Sequence, residues 1–176
     1  VSTLAALNDN KRPANVTDLY ADNFDPVMRA EDLALFRTGG FNDPLVGRYQ
    51  GFLRESSRIV VIFPVWWGGA PAILKGFFDK VFLKGFAYRQ KPGEKMTPSL
   101  ANVEKVLFFT TSGMTAAEMT ASETGRLLEW ELFGQTFGTA GAKDYVWLDF
   151  GALPKEADTA RAEHLAKVKE IVVREG

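Results

Sequence analysis

The chain has 176 residues, 46% of them apolar and 24% charged, and its 21 basic and 22 acidic side chains leave a formal net charge of −1. That length and balance predict a single domain over residues 1–176 with room for a sizeable core, and the even mixture of signs gives no basic footprint for nucleic acid. With no cysteine and one histidine, disulfides, thiolate metal sites and a cysteine nucleophile are excluded, no metal site is expected, and the absence of any apolar run near the roughly 20 residues of a membrane span predicts no membrane insertion and a cytoplasmic protein.

Val1–Leu7 reads as part of a helix, followed by the turn-like Asn8-Asp9-Asn10. Alternating α/β chains open on a strand, so the reading places a first strand and its loop ahead of Val1; the other reading is that the helix is the N-terminus. Four apolar runs then predict strands: Val16–Tyr20, the weakest; Ile59–Phe63 (IVVIF) and Val106–Thr110 (VLFFT), whose β-branched and aromatic residues suit strands covered on both faces; and Tyr145–Phe150 (YVWLDF). Between them lie helix patterns. Asp43-Pro44 reads as an N-cap with proline at the first helical position, opening a helix toward Ser57. Over Pro71–Leu83 the apolar residues Ile73, Leu74, Phe77, Phe78, Val81 and Phe82 recur at helical spacing, leaving Lys75, Asp79 and Lys80 on other faces. Ser122–Phe137 is expected to be helical and to end at Gly138, and Pro154–Val173 forms the last helix. This alternation predicts an α/β fold, a doubly wound parallel sheet with helices on both faces.

In such sheets ligands bind beyond the carboxyl ends of the strands. The loop after IVVIF is Pro64-Val65-Trp66-Trp67-Gly68-Gly69-Ala70-Pro71. Adjacent indoles leaving a core strand suit a flat ligand, and the glycines allow close approach of main-chain N–H groups; alternatively both indoles pack on a neighbouring helix or a second subunit. The loop after VLFFT, Thr110-Thr111-Ser112-Gly113, offers main-chain and hydroxyl donors to an anion or a polar ring edge, although such turns are common by themselves.

These residues resemble a known family. Phe63–Tyr88, FPVWWGGAPAILKGFFDKVFLKGFAY, is similar to the central signature of the NAD(P)H:quinone oxidoreductases, which are flavodoxin-like flavoproteins. Asp18–Leu33 and Thr110–Gly113 add weaker matches, so the resemblance spans nearly the whole chain. It implies a flavodoxin-like sheet, bound FAD or FMN, NAD(P)H as hydride donor and ping-pong transfer of two electrons to a quinone or similar electron-poor aromatic. Carried over by position, it puts Pro64, Val65, Trp66, Trp67 and Gly68 against the flavin ring and Thr110, Thr111, Ser112 and Gly113 along its other edge. It also implies a homodimer, with Leu83–Tyr88 and Phe41-Asn42 near the subunit boundary, and it allows Tyr88 and Arg89 to meet the nicotinamide nucleotide's phosphates.

Two departures stand out. The family's phosphate-binding loop falls ahead of Val1, and the Tyr and His that follow the family's hydroxyl-glycine loop have no counterpart in Met114–Thr124 (MTAAEMTASET). No catalytic residue or proton source is therefore assigned, and His164 reads as a surface residue. Lys75 and Asp79 are expected to pair across a solvated helix face. Two competing readings are a regulatory ancillary subunit of a potassium-efflux transporter, which similar proteins form, and a flavodoxin-type one-electron carrier. The near-neutral charge disfavours the carrier.

Overall fold

The computed structural model describes residues 13–152 and 158–175, together with Thr3 and Leu7. In chain order its elements are α1 (Ala30–Phe36), α2 (Pro44–Glu55), β1 (Arg58–Pro64), α3 (Ala72–Val81), a short hairpin of β2 (Tyr88–Arg89) and β3 (Thr97–Pro98), β4 (Lys105–Thr111), α4 (Ala116–Ala121), α5 (Glu123–Glu129), a π-helix (Trp130–Phe137) running into α6 (Gly138–Ala140), β5 (Asp144–Phe150) and α7 (Asp158–Glu175). Of the expected N-terminal helix, Thr3 and Leu7 are helical; its other residues and Pro154–Ala157 lie outside the described residues.

Strands β1, β4 and β5 form a parallel sheet in the order β1-β4-β5. The register runs Arg58↔Lys105↔Asp144 at one end and Pro64↔Thr111↔Phe150 at the other, so the three carboxyl ends lie side by side. Side chains alternate across β4 with the two-residue period of a strand. Val106 and Phe108 enter a core shared with Val46 and Tyr49 of α2 and Phe78 of α3, whereas Leu107 and Phe109 meet Val168, Ile171 and Val172 of α7. Helices thus cover both faces, as a doubly wound α/β sheet requires.

Asp43 caps α2 by accepting from the Leu45 N–H at 2.9 Å, as its place before Pro44 predicts. Elsewhere the structure corrects the reading. Val16–Tyr20 is not a strand: the Asp18 carboxylate accepts from the N–H groups of Tyr20 and Ala21, and the Asp22 N–H bonds the Asp18 carbonyl, which turns the chain where it would have to stay extended. β1 is covered less completely than β4: Ile59, Val61 and Phe63 pack into the core with α2 and α3 and Val60 packs with the α7 cluster, but Ile62 is 61% exposed. The expected helix over Ser122–Phe137 is present but changes winding and runs on: Ser122 caps α5 through the Gly125 N–H, the π-helix follows without a break in helical backbone, and the chain leaves the helix at Gly141 (φ 116°), not at Gly138.

Lys80, which lies off the apolar stripe of α3, is buried. Its ammonium reaches the Asp32 carboxylate at 3.2 Å and the Val27 carbonyl at 3.3 Å, and so ties the irregular stretch 24–29 and the first turn of α1 to α3. Lys75 and Asp79 do pair on an exposed face. Leu83, Phe86 and Ala87 are core residues, so that part of the expected subunit boundary is not on the surface; Phe41 is exposed.

Asp22 accepts from the Tyr49 hydroxyl at 2.8 Å and pairs with Arg48. The Arg48 hydrogen bond, then that of Tyr49, holds the Asp22 carboxyl below its ordinary 3.8, while burial and the bond to Asp22 push the Tyr49 hydroxyl up to about 12. Because the folded carboxyl is the stronger acid, its contribution to stability is present above its unfolded pKa and is lost as pH falls through the lower folded value. Asp22→Asn is therefore expected to flatten the fall in melting temperature below about pH 4, and an unchanged acid limb would show the pair to be energetically silent.

Candidate functional site

The sheet register brings the two candidate loops together. Pro64 and Thr111 are paired neighbours, and the Val65 N–H bonds the Thr111 carbonyl at 2.8 Å, which carries the pairing one residue past the end of β1. Beyond it, Trp66 and Gly69 exchange two main-chain hydrogen bonds of 3.0 Å each, closing a two-residue turn with Trp67 and Gly68 at its centre. Both central residues have positive φ, 52° at Trp67 and 77° at Gly68, which matches a type I′ turn. Glycine takes that conformation readily, whereas a bulky residue there is strained by about 1–2 kcal/mol.

That turn sets the indoles. Trp66 is 57% exposed and Trp67 is fully exposed, so neither is a core residue. The turn rests against the first residues of α5: a Cβ on Gly68 would stand 3.1 Å from the Thr124 methyl. A cavity of about 580 Å³ runs along the side of β1 away from β4, lined by Asn15–Tyr20, Pro64, Trp66 and Phe77 among others. Trp67, Gly68 and Thr110–Gly113 do not line it; they sit at the open end of the sheet.

Along β4 the burial grades outward. Thr110 is 0% exposed, Thr111 and Ser112 are half-buried, and Gly113 is exposed. Thr110 therefore departs from the expected role, since it supports the loop from beneath and has no surface for a ligand. The N–H groups of Trp67, Gly68, Ser112 and Gly113 have no hydrogen-bond acceptor among the described residues. Two pairs of adjacent main-chain donors without an acceptor among the described residues thus lie in neighbouring loops at the carboxyl end of the sheet, one pair beside an exposed indole, which suits an acceptor-rich group.

Residues that sequence reasoning did not single out complete the surroundings. Asp149, one residue before the end of β5, lies opposite Thr110 in register and accepts from the hydroxyls of Thr110 and Ser112. Met114–Thr124, which lacks a Tyr or His, is ordered by a capping box: the Thr115 hydroxyl accepts from the Glu118 N–H at 3.2 Å, and the Glu118 carboxylate accepts from the Thr115 N–H at 2.8 Å. His164 is half-buried rather than a free surface residue, with its ring 5.0 Å from that of Phe150. Tyr88 is half-buried and Arg89 exposed in the short hairpin. No described helix is long and apolar enough to cross a membrane.

Residues 2–172 match the flavodoxin-like fold family. Among curated relatives, the chain is 29% identical over 144 residues to an uncharacterized NAD(P)H oxidoreductase of Haemophilus influenzae, covering 82% of this chain and 70% of that one. It is 34% identical over 118 residues to NAD(P)H dehydrogenase [quinone] 1 of Cavia porcellus, covering 56% of this chain and 41% of that one. Among solved structures, an FMN-dependent NADH-azoreductase from Bacillus anthracis, determined in complex with FMN, superposes with a TM-score of 0.74 at 15% identity, over 98% of this chain and 87% of that one. The chain belongs to the flavodoxin-like family that includes the NAD(P)H:quinone oxidoreductases.

Proposed function

We propose that the chain is a flavin-dependent NAD(P)H oxidoreductase acting on quinones or similar electron-poor aromatics. The observation that carries the reading is the fully exposed Trp67 indole, held at positive φ in a turn whose central N–H groups, like those of Ser112 and Gly113 in the adjoining loop, have no acceptor among the described residues. A large apolar side chain kept in strained backbone and in water at the one edge of the sheet where ligands gather is best explained by a planar partner. A flavin fits these groups chemically: an exposed indole would offer its ring a face, and the N–H groups of Ser112 and Gly113 would be donors to its carbonyl oxygens. FMN or FAD bound there supplies two-electron chemistry between NAD(P)H and the acceptor.

What the chain's own residues do is bind and orient. The turn Trp66–Gly69 fixes the main chain that carries the exposed Trp67 indole, and the Val65 bond to Thr111 ties that loop to the end of β4. Within Met114–Thr124 the ionisable side chains are Glu118 and Glu123, and Glu118 is committed to its capping box. Charge that develops at the ring's edge is therefore met by main-chain N–H groups, which act electrostatically without proton transfer.

The test is direct. The full chain is titrated with FMN and with FAD while tryptophan fluorescence and visible absorbance are followed, and NADH and NADPH oxidation is then measured with a benzoquinone. Saturable quenching by one of the flavins together with quinone-dependent oxidation is expected. A chain that takes up neither flavin and oxidises neither nucleotide overturns the reading.

A further inference from the structure

The hydroxyls that end β4 are already committed. Thr110 Oγ1 donates to Asp149 Oδ1 and Ser112 Oγ donates to Asp149 Oδ2, each at 2.6 Å, while Trp147 Nε1 donates to Thr110 Oγ1 at 2.9 Å. The arrangement follows from the strand pairing. Thr110 faces Asp149 across β4 and β5, and the two-residue period of a strand places Trp147 on the same face of β5 as Asp149. The chain of bonds runs from a half-buried indole, through a fully buried threonine, to the last polar side chain before Gly113. Ser112 has the Met114 carbonyl as a second acceptor at 3.2 Å, longer than its bond to Asp149.

We infer that Asp149 is the positioning residue of this site: by taking both hydroxyl protons it pins the end of β4 and leaves Ser112 and Gly113 to meet a ligand through their N–H groups. The identity of that ligand rests on the flavin reading above; the pinning does not. Hydrogen bonds to a carboxylate are roughly twice as strong as neutral ones, so one side chain clamps the loop at two points. The consequence for recognition is specific. With their protons turned inward, the hydroxyls cannot donate to a ligand, and the loop selects an acceptor edge such as a carbonyl. The consequence for chemistry is a carboxylate held 2.6 Å from the Ser112 hydroxyl, in the loop that would meet that edge. It opposes the build-up of negative charge there and so keeps a bound redox ring more strongly reducing.

The test compares the wild-type chain with Asp149→Asn and Ser112→Ala. Asparagine keeps the shape but presents an amide NH₂ to one of the two hydroxyls, which must then accept instead of donate, so both charge-assisted bonds give way to weaker neutral ones. In the flavin-free protein, amide hydrogen exchange at Thr110 and Thr111 is expected to quicken about tenfold in Asp149→Asn, with less change in Ser112→Ala; equal exchange in all three proteins overturns the inference whether or not flavin binds. With FMN as probe, the Kd is expected to weaken roughly tenfold in Asp149→Asn and the midpoint potential of the bound FMN to rise. A merely structural defect would weaken binding without raising the potential. Wild-type protein that binds FMN, beside an Asp149→Asn protein with unchanged affinity and potential, sinks this inference and leaves the proposed function standing. Wild-type protein that ignores FMN and FAD sinks the proposed function, and the exchange measurement then decides the role of Asp149 by itself.

Discussion

Replacing Trp67 by asparagine is expected to stabilise the flavin-free fold and weaken flavin binding in the same protein. Trp67 occupies the first central position of a two-residue turn at φ 52°, followed by Gly68 at φ 77°. Asn-Gly is the favoured pair for such a turn, because asparagine tolerates positive φ and a bulky aromatic does not. The indole is fully exposed, so its removal loses little packing within the chain, and relief of strain of about 1 kcal/mol should raise the melting temperature by roughly 2–4 °C. Loss of one stacking face should cost about 1–3 kcal/mol of binding, roughly 5- to 150-fold in the Kd for FMN, by analogy with base stacking on aromatic side chains. Differential scanning fluorimetry and fluorescence titration read the two effects separately. A variant that melts higher yet binds FMN as before would mean that the indole is not a platform for the ring. One that melts lower would mean that the indole is a packing residue and that the turn carries no strain. Stability and function pulling apart at one position is the pattern that locates a site, and at most surface positions a substitution moves neither.

How much of this was legible in the sequence depends on the range of the interaction concerned. Ile59–Phe63, Val106–Thr110 and Tyr145–Phe150 were readable as strands because β-branched and aromatic runs bounded by turns are a local signal, and all three pair in one parallel sheet. The adjacency of the two loops depends on the strand order, which sets β1 beside β4. Val16–Tyr20 was misread because its composition suits a strand, while its conformation is decided by the Asp18 side chain bonding the main chain nearby. The burial of Lys80 was not legible for a different reason: helical periodicity gives the face a residue occupies, but not whether a distant segment folds over that face. Asp149 left only a faint trace, an acid inside the otherwise apolar run YVWLDF. Its meaning depends on a register with Thr110 that spans 39 residues of chain. The strain at Trp67 left none, since tryptophan before glycine is no turn signal and the positive φ is imposed by the pairing of Trp66 with Gly69.

Gly76→Ala is expected to be among the most damaging single substitutions in the chain, although alanine is the better helix former. Gly76 lies in α3 directly over Pro26, and a Cβ built there would stand 2.3 Å from the Pro26 carbonyl oxygen and 2.4 Å from its Cβ. Those atoms belong to main chain and a rigid ring, so no side chain can swing aside. Either α3 lifts away or the 24–32 stretch does, and Lys80, one turn further along, holds that stretch through Asp32 and the Val27 carbonyl. Overpacking against backbone of this kind should cost about 3 kcal/mol, a fall in melting temperature of roughly 6–12 °C for a chain of this size. Gly51→Ala in α2 supplies the control, because a Cβ at Gly51 meets nothing within 4 Å. There the gain in helix propensity, up to about 1 kcal/mol, should raise the melting temperature by a few degrees. The same chemical change should thus act in opposite directions on neighbouring helices of one fold. α3 begins just after the Trp66–Gly69 turn, so displacing it should also disturb the indoles and weaken FMN binding in Gly76→Ala, whereas Gly51→Ala should bind FMN as the wild type does. Equal melting temperatures for the two variants would show that the close approach of α3 to Pro26 does not hold in solution.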